Sequence, residues 1–282
     1  MTLEEALRSL RKRLSFCSDE ADFEANLILM KATGLERSVL LSHPERELKC
    51  EAQSVLETLV SGREQGTPLP YLLGTRGFFG LDFKVTPAVL IPRPETEMLV
   101  ETALKWLREN PDVCEGADIG TGSGCIAVSL LKACSRLHMK AVDISENALA
   151  VARENAESHE VFDRFQSIQG NLCETLRPLP RLLCANLPYI PSQTCAELET
   201  AKHEPLTALD GGTDGFTLYR EMFEDISSRL PGGSMLILCE IEYRQRELAR
   251  ETARRFFPQA DILVENDLAG FPRLLRIEIE QI

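Results

Sequence analysis

Two short stretches carry side chains able to do chemistry together. Asn186-Leu187-Pro188-Tyr189 follows the apolar run Leu182-Leu183-Cys184-Ala185. That run reads as a buried parallel strand, so the four residues fall at its carboxyl end, where open α/β sheets bind ligands. Asn offers a carbonyl oxygen and an NH2 group, the proline fixes the backbone and the direction of neighbouring carbonyls, and Tyr brings a flat ring. Such a set can grip a planar NH2 group. The same four residues within a loop also make an ordinary turn.

The second stretch is Gly120-Thr121-Gly122-Ser123-Gly124, between an expected strand and its helix. Glycine lets the backbone pass close under a ligand, and the helix start presents unpaired N–H groups. Asp143 stands 23 residues after Gly120 at the end of the next strand, placed to accept hydrogen bonds from ribose hydroxyls. The dinucleotide fingerprint G-x-G-x-x-G needs glycine at position 125, where the chain has Cys125. The early third glycine fits S-adenosyl-L-methionine, which has no pyrophosphate to cradle, and argues against an NAD-dependent dehydrogenase. Asn171 and Leu172, after the third strand, are expected to border the cofactor's adenine; a plain loop there is the alternative.

A methyl donor on the sheet's first loops and an NH2 grip on its fourth strand make an amino-methyltransferase layout. In a carboxamide or an adenine the nitrogen lone pair is delocalised and nucleophilicity is poor. If the Asn186 side-chain oxygen and the Leu187 backbone carbonyl each accept one N–H, the lone pair is steered at the sulfonium methyl, while Pro188 stiffens the turn and Tyr189 packs beside the acceptor. Asn186 is thus expected to serve both the acceptor and the cofactor. A non-catalytic cofactor-binding scaffold is the remaining class, with no feature speaking for it.

The elements that must hold these residues alternate from about residue 89. Strands are expected at 113–119, 139–142, 165–169, 182–185, 235–239, 261–264 and 274–279, with helices at 94–107, 125–134, 147–158, 216–230 and 243–257. Such βα alternation predicts a parallel sheet with helices on both faces. The strand at 113–119 is poor by pattern because of Glu115 and Gly116. Before the sheet, Leu3, Ala6, Leu7, Leu10 and Leu14 recur at helical spacing. A second helix opened by Ser18-Asp19 is expected to bury Phe23, Leu27, Ile28 and Met30, and Val55, Leu56, Leu59 and Val60 mark another. Residues 1–70 thus read as a helical bundle, 71–88 as a hairpin linker and 89–282 as the α/β domain. Arg8, Arg11, Lys12 and Arg13 form either a solvated helix face or a partner contact.

Composition narrows the classes. The net charge is −13, and residues 86–282 hold 20 Lys+Arg against 31 Asp+Glu. That is the wrong sign for gripping a long phosphate backbone, so no direct nucleic-acid contact is expected. Nine cysteines without a C-x-x-C pair, and four histidines, give no metal-ligand pattern; reduced thiols and no metal are expected. No apolar run approaches the ~18 residues of a membrane span, and Met1–Arg8 lacks a signal peptide's apolar centre. A cytoplasmic, membrane-free protein is the expectation.

Gly66–Gly74, Val89–Glu97, Asp118–Gly124, Ala141–Ser145 and Asn186–Ile190, continued by Glu204–Leu209, Gly211–Gly215 and Asp267–Gly270, resemble in order the release-factor glutamine methyltransferases, the PrmC/HemK family. The resemblance covers nearly the whole chain, and the Ile91-Pro92-Arg93-Pro94-Glu95-Thr96-Glu97 segment is its specific part. It implies a doubly wound, mostly parallel, seven-stranded Rossmann-like methyltransferase sheet behind a helical substrate-recognition domain. It implies methylation of the glutamine amide nitrogen in the Gly-Gly-Gln loop of class-1 peptide chain release factors, with S-adenosyl-L-homocysteine as product. Arg93, Glu95 and Glu97 either shape the pocket or form a charged helix start. The family usually has Asn-Pro-Pro-Tyr where this chain has Leu187, and often an acid where it has Asn171. Asn-Leu-Pro-Tyr also resembles the rRNA adenine dimethyltransferases, so the alternative is an adenine N6-methyltransferase on rRNA or DNA; the acidic carboxyl-terminal part and the Ile91–Glu97 segment weigh against it.

Overall fold

Thr2 opens the first helix with a reciprocal pair of hydrogen bonds: its hydroxyl accepts from the Glu5 N–H (3.3 Å) while its own N–H donates to the Glu5 carboxylate (2.9 Å). The computed structural model describes residues 1–195, 197–198 and 202–280, and the chain forms two units, Met1–Thr75 and Arg76–Ile282. In the first, α1 (Leu3–Leu14), α2 (Ala21–Thr33), α3 (Arg37–Ser42), α4 (Cys50–Glu64) and α5 (Leu69–Leu73) enclose a core that includes Leu10, Leu14, Ile28, Leu29 and Val60. Gly34 ends α2 in the left-handed conformation. Phe23, expected inside, is 59% exposed. The inward stripe of α2 runs through Ala25, Ile28 and Leu29; five residues before Ile28, Phe23 falls on the far side of a helix with 3.6 residues per turn. Arg8, Arg11 and Arg13 pair with Glu4, Asp22 and Glu57/Glu64.

The second unit begins with a hairpin, β1 (Thr75–Phe78) and β2 (Leu81–Lys84), turned by Phe79 and Gly80 at positive φ. A 3-10 turn at Pro94–Thr96 leads into α6 (Glu97–Glu109). Then follow β3 (Glu115–Ile119), α7 (Cys125–Ala133), β4 (His138–Asp143), α8 (Glu146–Ser158), β5 (Phe165–Gln169), β6 (Leu182–Ala185), α9 (Ser192–Cys195), α10 (Thr217–Ser227), β7 (Met235–Glu240), α11 (Arg246–Phe256), β8 (Asp261–Asn266) and β9 (Pro272–Ile279).

The seven strands are ordered β5-β4-β3-β6-β7-β9-β8, parallel except for β9, which runs antiparallel to both neighbours. Successive strand residues feed opposite faces: Leu182, Cys184, Leu236 and Leu238 join the core under α6 and α7, while Leu183, Ala185, Ile237 and Cys239 join the core under α10 and α11. That two-sided burial is why these strands are continuous apolar runs. Gly116 does not break β3. A Cβ there would lie 2.7 Å from Met139 Sδ and 3.3 Å from Leu182 Cδ2, so glycine marks where two neighbours' side chains fill the space above the strand. From β3 the chain winds outward to β5 and returns to β6 on the other side. The carboxyl ends of β3 and β6 therefore flank the crevice where the winding reverses, the position at which open α/β sheets bind ligands.

Candidate active site

A cavity of about 310 Å³ opens at that crevice, lined by Gly120–Ser123, Asp143, Asn171, Leu172 and Asn186–Pro188 among others. The glycine turn is built by the backbone. The N–H groups of Gly120 and Thr121 both donate to Val142 O (2.8 and 2.9 Å), and Gly124 N–H donates to Thr121 O (2.8 Å). Gly120, Gly122 and Gly124 all have positive φ. A Cβ on Gly120 would meet Leu187 Cδ2 at 2.9 Å, so the glycine turn and the Asn186–Tyr189 segment lie against each other. Asp143 accepts the N–H groups of Gly122 and Ser145, each at 2.9 Å. Burial nonetheless pushes its carboxyl above the ordinary value. Each carboxylate oxygen keeps a further lone pair for a ligand hydroxyl.

Asp118, at the same end of β3, is fully buried. Its Oδ2 accepts the Thr121 hydroxyl (2.7 Å) and the Ala127 N–H (3.3 Å), clamping the turn to α7, while Oδ1 has no partner. Desolvation pushes this carboxyl up to about 7 from an ordinary 3.8, against the pull of those two donors. Between about pH 4 and pH 7 the folded chain then holds a proton that the unfolded chain has released, so stability falls as pH rises through that window. Asp118→Asn keeps an acceptor for Thr121 and Ala127 but cannot ionise. Urea melts at pH 4, 5, 6 and 8 should show the variant without that slope, a difference from wild type of up to ~4 kcal/mol across the window; parallel curves would mean that Asp118 titrates normally.

Asn186 is fixed through its NH2 group. Nδ2 donates to Thr96 Oγ1 (3.2 Å) and Glu240 Oε2 (3.1 Å), and the Thr96 hydroxyl donates to the same Oε2 (2.6 Å). Its Oδ1 takes part in none of these bonds. The Leu187 N–H donates to the hydroxyl of buried Tyr219, which itself donates to Glu240 O. The sequence places the ring of Tyr189 beside the acceptor. In the structure the side chain is partly buried against the α10–α11 core, and its hydroxyl donates to Glu240 Oε1 (3.3 Å), the carboxylate that also holds Asn186. Glu240 is buried, which raises its pKa, while Thr96, Arg273 and Tyr189 pull it back.

The segment is held from outside as well. Gln245 Nε2 donates to Tyr189 O (3.0 Å) and Gly215 O (3.1 Å), and a Cβ on Gly211 would stand 2.5 Å from Pro188 O. Arg93 pairs with the buried carboxylate of Glu204, Glu97 accepts the Phe79 N–H (2.8 Å), and Glu95 is exposed. Asn171 Nδ2 donates to Glu174 (3.2 Å), and Leu172 has φ 48°.

Sequence reasoning missed Thr96, Glu240, Tyr219 and Gln245. An acid ending the apolar run 235–239 is the signal that singled out Asp143, and it was there to be read for Glu240. Among the described residues no group of three His, Cys, Asp or Glu side chains could hold a metal ion, and no helix is long and apolar enough to cross a membrane.

A doubly wound sheet with its cavity at the β3/β6 crevice, a glycine turn and a following acid, is the architecture of the α/β methyltransferases. Residues 95–187 match the methyltransferase small domain model and residues 5–74 the PrmC N-terminal domain model. The fold is shared with the catalytic domain of human METTL16 in complex with MAT2A 3'UTR hairpin 6, at TM-score 0.55 and 17% identity over 80% of this chain and 81% of that one. The chain is 40% identical over 279 residues to the release factor glutamine methyltransferase of Moorella thermoacetica, covering 97% of each, and 35% identical over 276 residues to that of Coxiella burnetii, covering 98% of each. It belongs to the release factor glutamine methyltransferase family.

Proposed function

We propose that this chain transfers the methyl group of S-adenosyl-L-methionine to the side-chain amide nitrogen of the glutamine in the Gly-Gly-Gln loop of class-1 peptide chain release factors, leaving N5-methylglutamine and S-adenosyl-L-homocysteine. The reaction is cytoplasmic, and the helical residues 1–70, joined through the 71–88 hairpin, hold the factor for the 89–282 methyltransferase domain. The observation that carries the reading is the anchoring of Asn186: with both N–H bonds taken by Thr96 and Glu240, the side chain has only a carbonyl oxygen to offer the crevice.

The cofactor supplies an electrophilic methyl group on a sulfonium. The residues fit it: the bare backbone at Gly122, where a Cβ would meet nothing nearer than Gly120 O at 4.0 Å, leaves room for close approach, Gly120, Thr121, Ser123 and Gly124 complete the turn, Asp143 has lone pairs for ribose hydroxyls, and Asn171 and Leu172 border the adenine. On the acceptor side, Asn186 Oδ1 and the Leu187 carbonyl each take one N–H of the substrate amide. Its lone pair then leaves conjugation and the nitrogen can pyramidalise toward the methyl. Leu187 supplies a backbone oxygen whatever its side chain, and Pro188 limits that carbonyl's freedom. Holding the two reactants in line converts a bimolecular step into a local one, an effect of up to ~7–11 kcal/mol. No strong base is called for, because the methylated nitrogen is acidic and sheds its proton to water.

Incubation with labelled S-adenosyl-L-methionine and a purified release factor, followed by mass spectrometry, is expected to place one methyl group on the Gly-Gly-Gln glutamine. Label on adenine of rRNA or DNA, weakening steeply with salt, would replace this reading with an adenine N6-methyltransferase.

A further inference from the structure

The hydrogen bonds of Asn186 lead to a side chain for which the proposed chemistry has no use of its own. Glu240, the last residue of β7, is 2% exposed. Its carboxylate accepts three donors: Thr96 Oγ1 (2.6 Å) and Asn186 Nδ2 (3.1 Å) at Oε2, and Tyr189 Oη (3.3 Å) at Oε1. The Thr96 hydroxyl, having given its proton to Glu240, accepts the other hydrogen of Asn186 Nδ2 (3.2 Å). A carboxamide turned over by 180° would set its oxygen against Glu240 Oε2 and Thr96 Oγ1, leaving the single Thr96 hydroxyl proton to serve three acceptors, so that one contact is always oxygen on oxygen with no hydrogen between.

We propose that Glu240 is a positioning residue for methyl transfer: with Thr96 it locks the Asn186 carboxamide with Oδ1 as the end presented to the substrate. The inference rests on the proposed function, in which that oxygen receives a substrate N–H. Without the lock the carboxamide is free both to turn over, opposing an NH2 group to the NH2 group of the substrate, and to drift from its place, where ~1 Å at a reacting centre is worth ~10²-fold in rate. Glu240 also receives the Tyr189 hydroxyl and, at its backbone oxygen, the Tyr219 hydroxyl that holds the Leu187 N–H. One residue thus ties both proposed acceptor positions to the end of a central strand.

The test is a double-mutant cycle on the full chain, measuring kcat, KM for the release factor and cofactor affinity. Glu240→Ala is expected to lower kcat by about 10²-fold, the scale of losing one aligned polar group in an active site, with KM and cofactor affinity nearly unmoved. Glu240→Gln, which keeps an acceptor oxygen for Thr96 and Asn186, is expected to recover most of that loss. In the Asn186→Ala background, Glu240→Ala should add little, because the residue it positions is gone. Losses that add in the double variant, or a Gln variant as poor as the Ala variant, would overturn the proposal. Should Glu240→Ala not fold, Thr96→Val carries the same cycle.

If the wild-type chain methylates no glutamine, the functional reading fails, and the lock is judged by NMR. The two Asn186 side-chain amide hydrogens, assigned by their absence in Asn186→Asp, should exchange slowly in wild type and quickly in Glu240→Ala. Equal exchange in the two proteins would overturn the lock.

Discussion

Asn186→Ala is expected to lower the rate constant for methyl transfer by about 10²–10³-fold, the range seen when one preorganised hydrogen-bonding group is removed from a developing charge, while S-adenosyl-L-methionine is still bound. An amide nitrogen gives up conjugation as it attacks, and positive charge grows on it. Two oxygens set to receive its N–H groups stabilise that charge more than they stabilise the ground state, so the loss should fall on kcat. Asn186→Asp sharpens the test. The aspartate keeps an oxygen toward the crevice but puts a second one where Nδ2 stood, 3.1 Å from buried Glu240 Oε2. Two carboxylates at that distance, one of them buried and the other half-buried, do not both ionise, so one is driven to hold a proton. In its protonated form the introduced carboxyl donates to Glu240 as the amide does, and protonation becomes more complete as pH falls. Single-turnover rates should therefore bring Asn186→Asp closer to wild type at pH 6 than at pH 8, whereas Asn186→Ala stays equally impaired at both. An aspartate variant with the same deficit at both pH values would remove Asn186 from the role given to it here.

The strands were readable because two-sided burial writes them as apolar runs: Leu182–Ala185 and Met235–Cys239 have no polar residue to confuse the period. Gly116 hid the start of β3, since the reason for a glycine there lies in Met139 and Leu182 on neighbouring strands, and a pattern along one strand does not report its neighbours. Phe23 shows the reverse error, a large apolar side chain counted inward by type alone although its helical phase turns it to solvent. At the site, Asn186, Asp143 and the glycine turn could be found because each combines a residue type with a place at a strand end. The partners that give Asn186 its orientation could not, since Thr96 lies 90 residues and Glu240 54 residues away in sequence. Sequence proximity puts Tyr189 beside Asn186, but it does not show that the Tyr189 hydroxyl closes on the carboxylate that also holds Asn186.

The glycines after Glu204 make the second large prediction. Gly215 has φ 75°, and a Cβ there would lie 2.1 Å from Tyr189 O, 2.7 Å from Gln245 Nε2 and 3.0 Å from Tyr189 C. No rotamer change relieves a clash with a carbonyl group, so in Gly215→Ala the backbone of the Asn186–Tyr189 segment or of residue 215 must shift. The left-handed conformation costs a Cβ-bearing residue ~1–2 kcal/mol, and overpacking adds ~1–3 kcal/mol. A destabilisation of about 2–5 kcal/mol is expected, read by urea unfolding. Activity should fall further than stability. Tyr189 O is bonded to Gln245, and Pro188 O stands 2.5 Å from where a Cβ on Gly211 would be. The displacement therefore passes along a closely packed backbone to Asn186, and a misplacement of ~1 Å at a reacting centre is worth ~10²-fold in rate. Gly270→Ala is the control. It too has positive φ, 86°, but nothing within 4 Å of its Cβ position, so it should lose only the ~1–2 kcal/mol of the left-handed conformation and methylate at the wild-type rate. Equal stability and equal activity of the two variants at 25 °C would show that the Gly211–Gly215 turn does not set the position of the Asn186 segment.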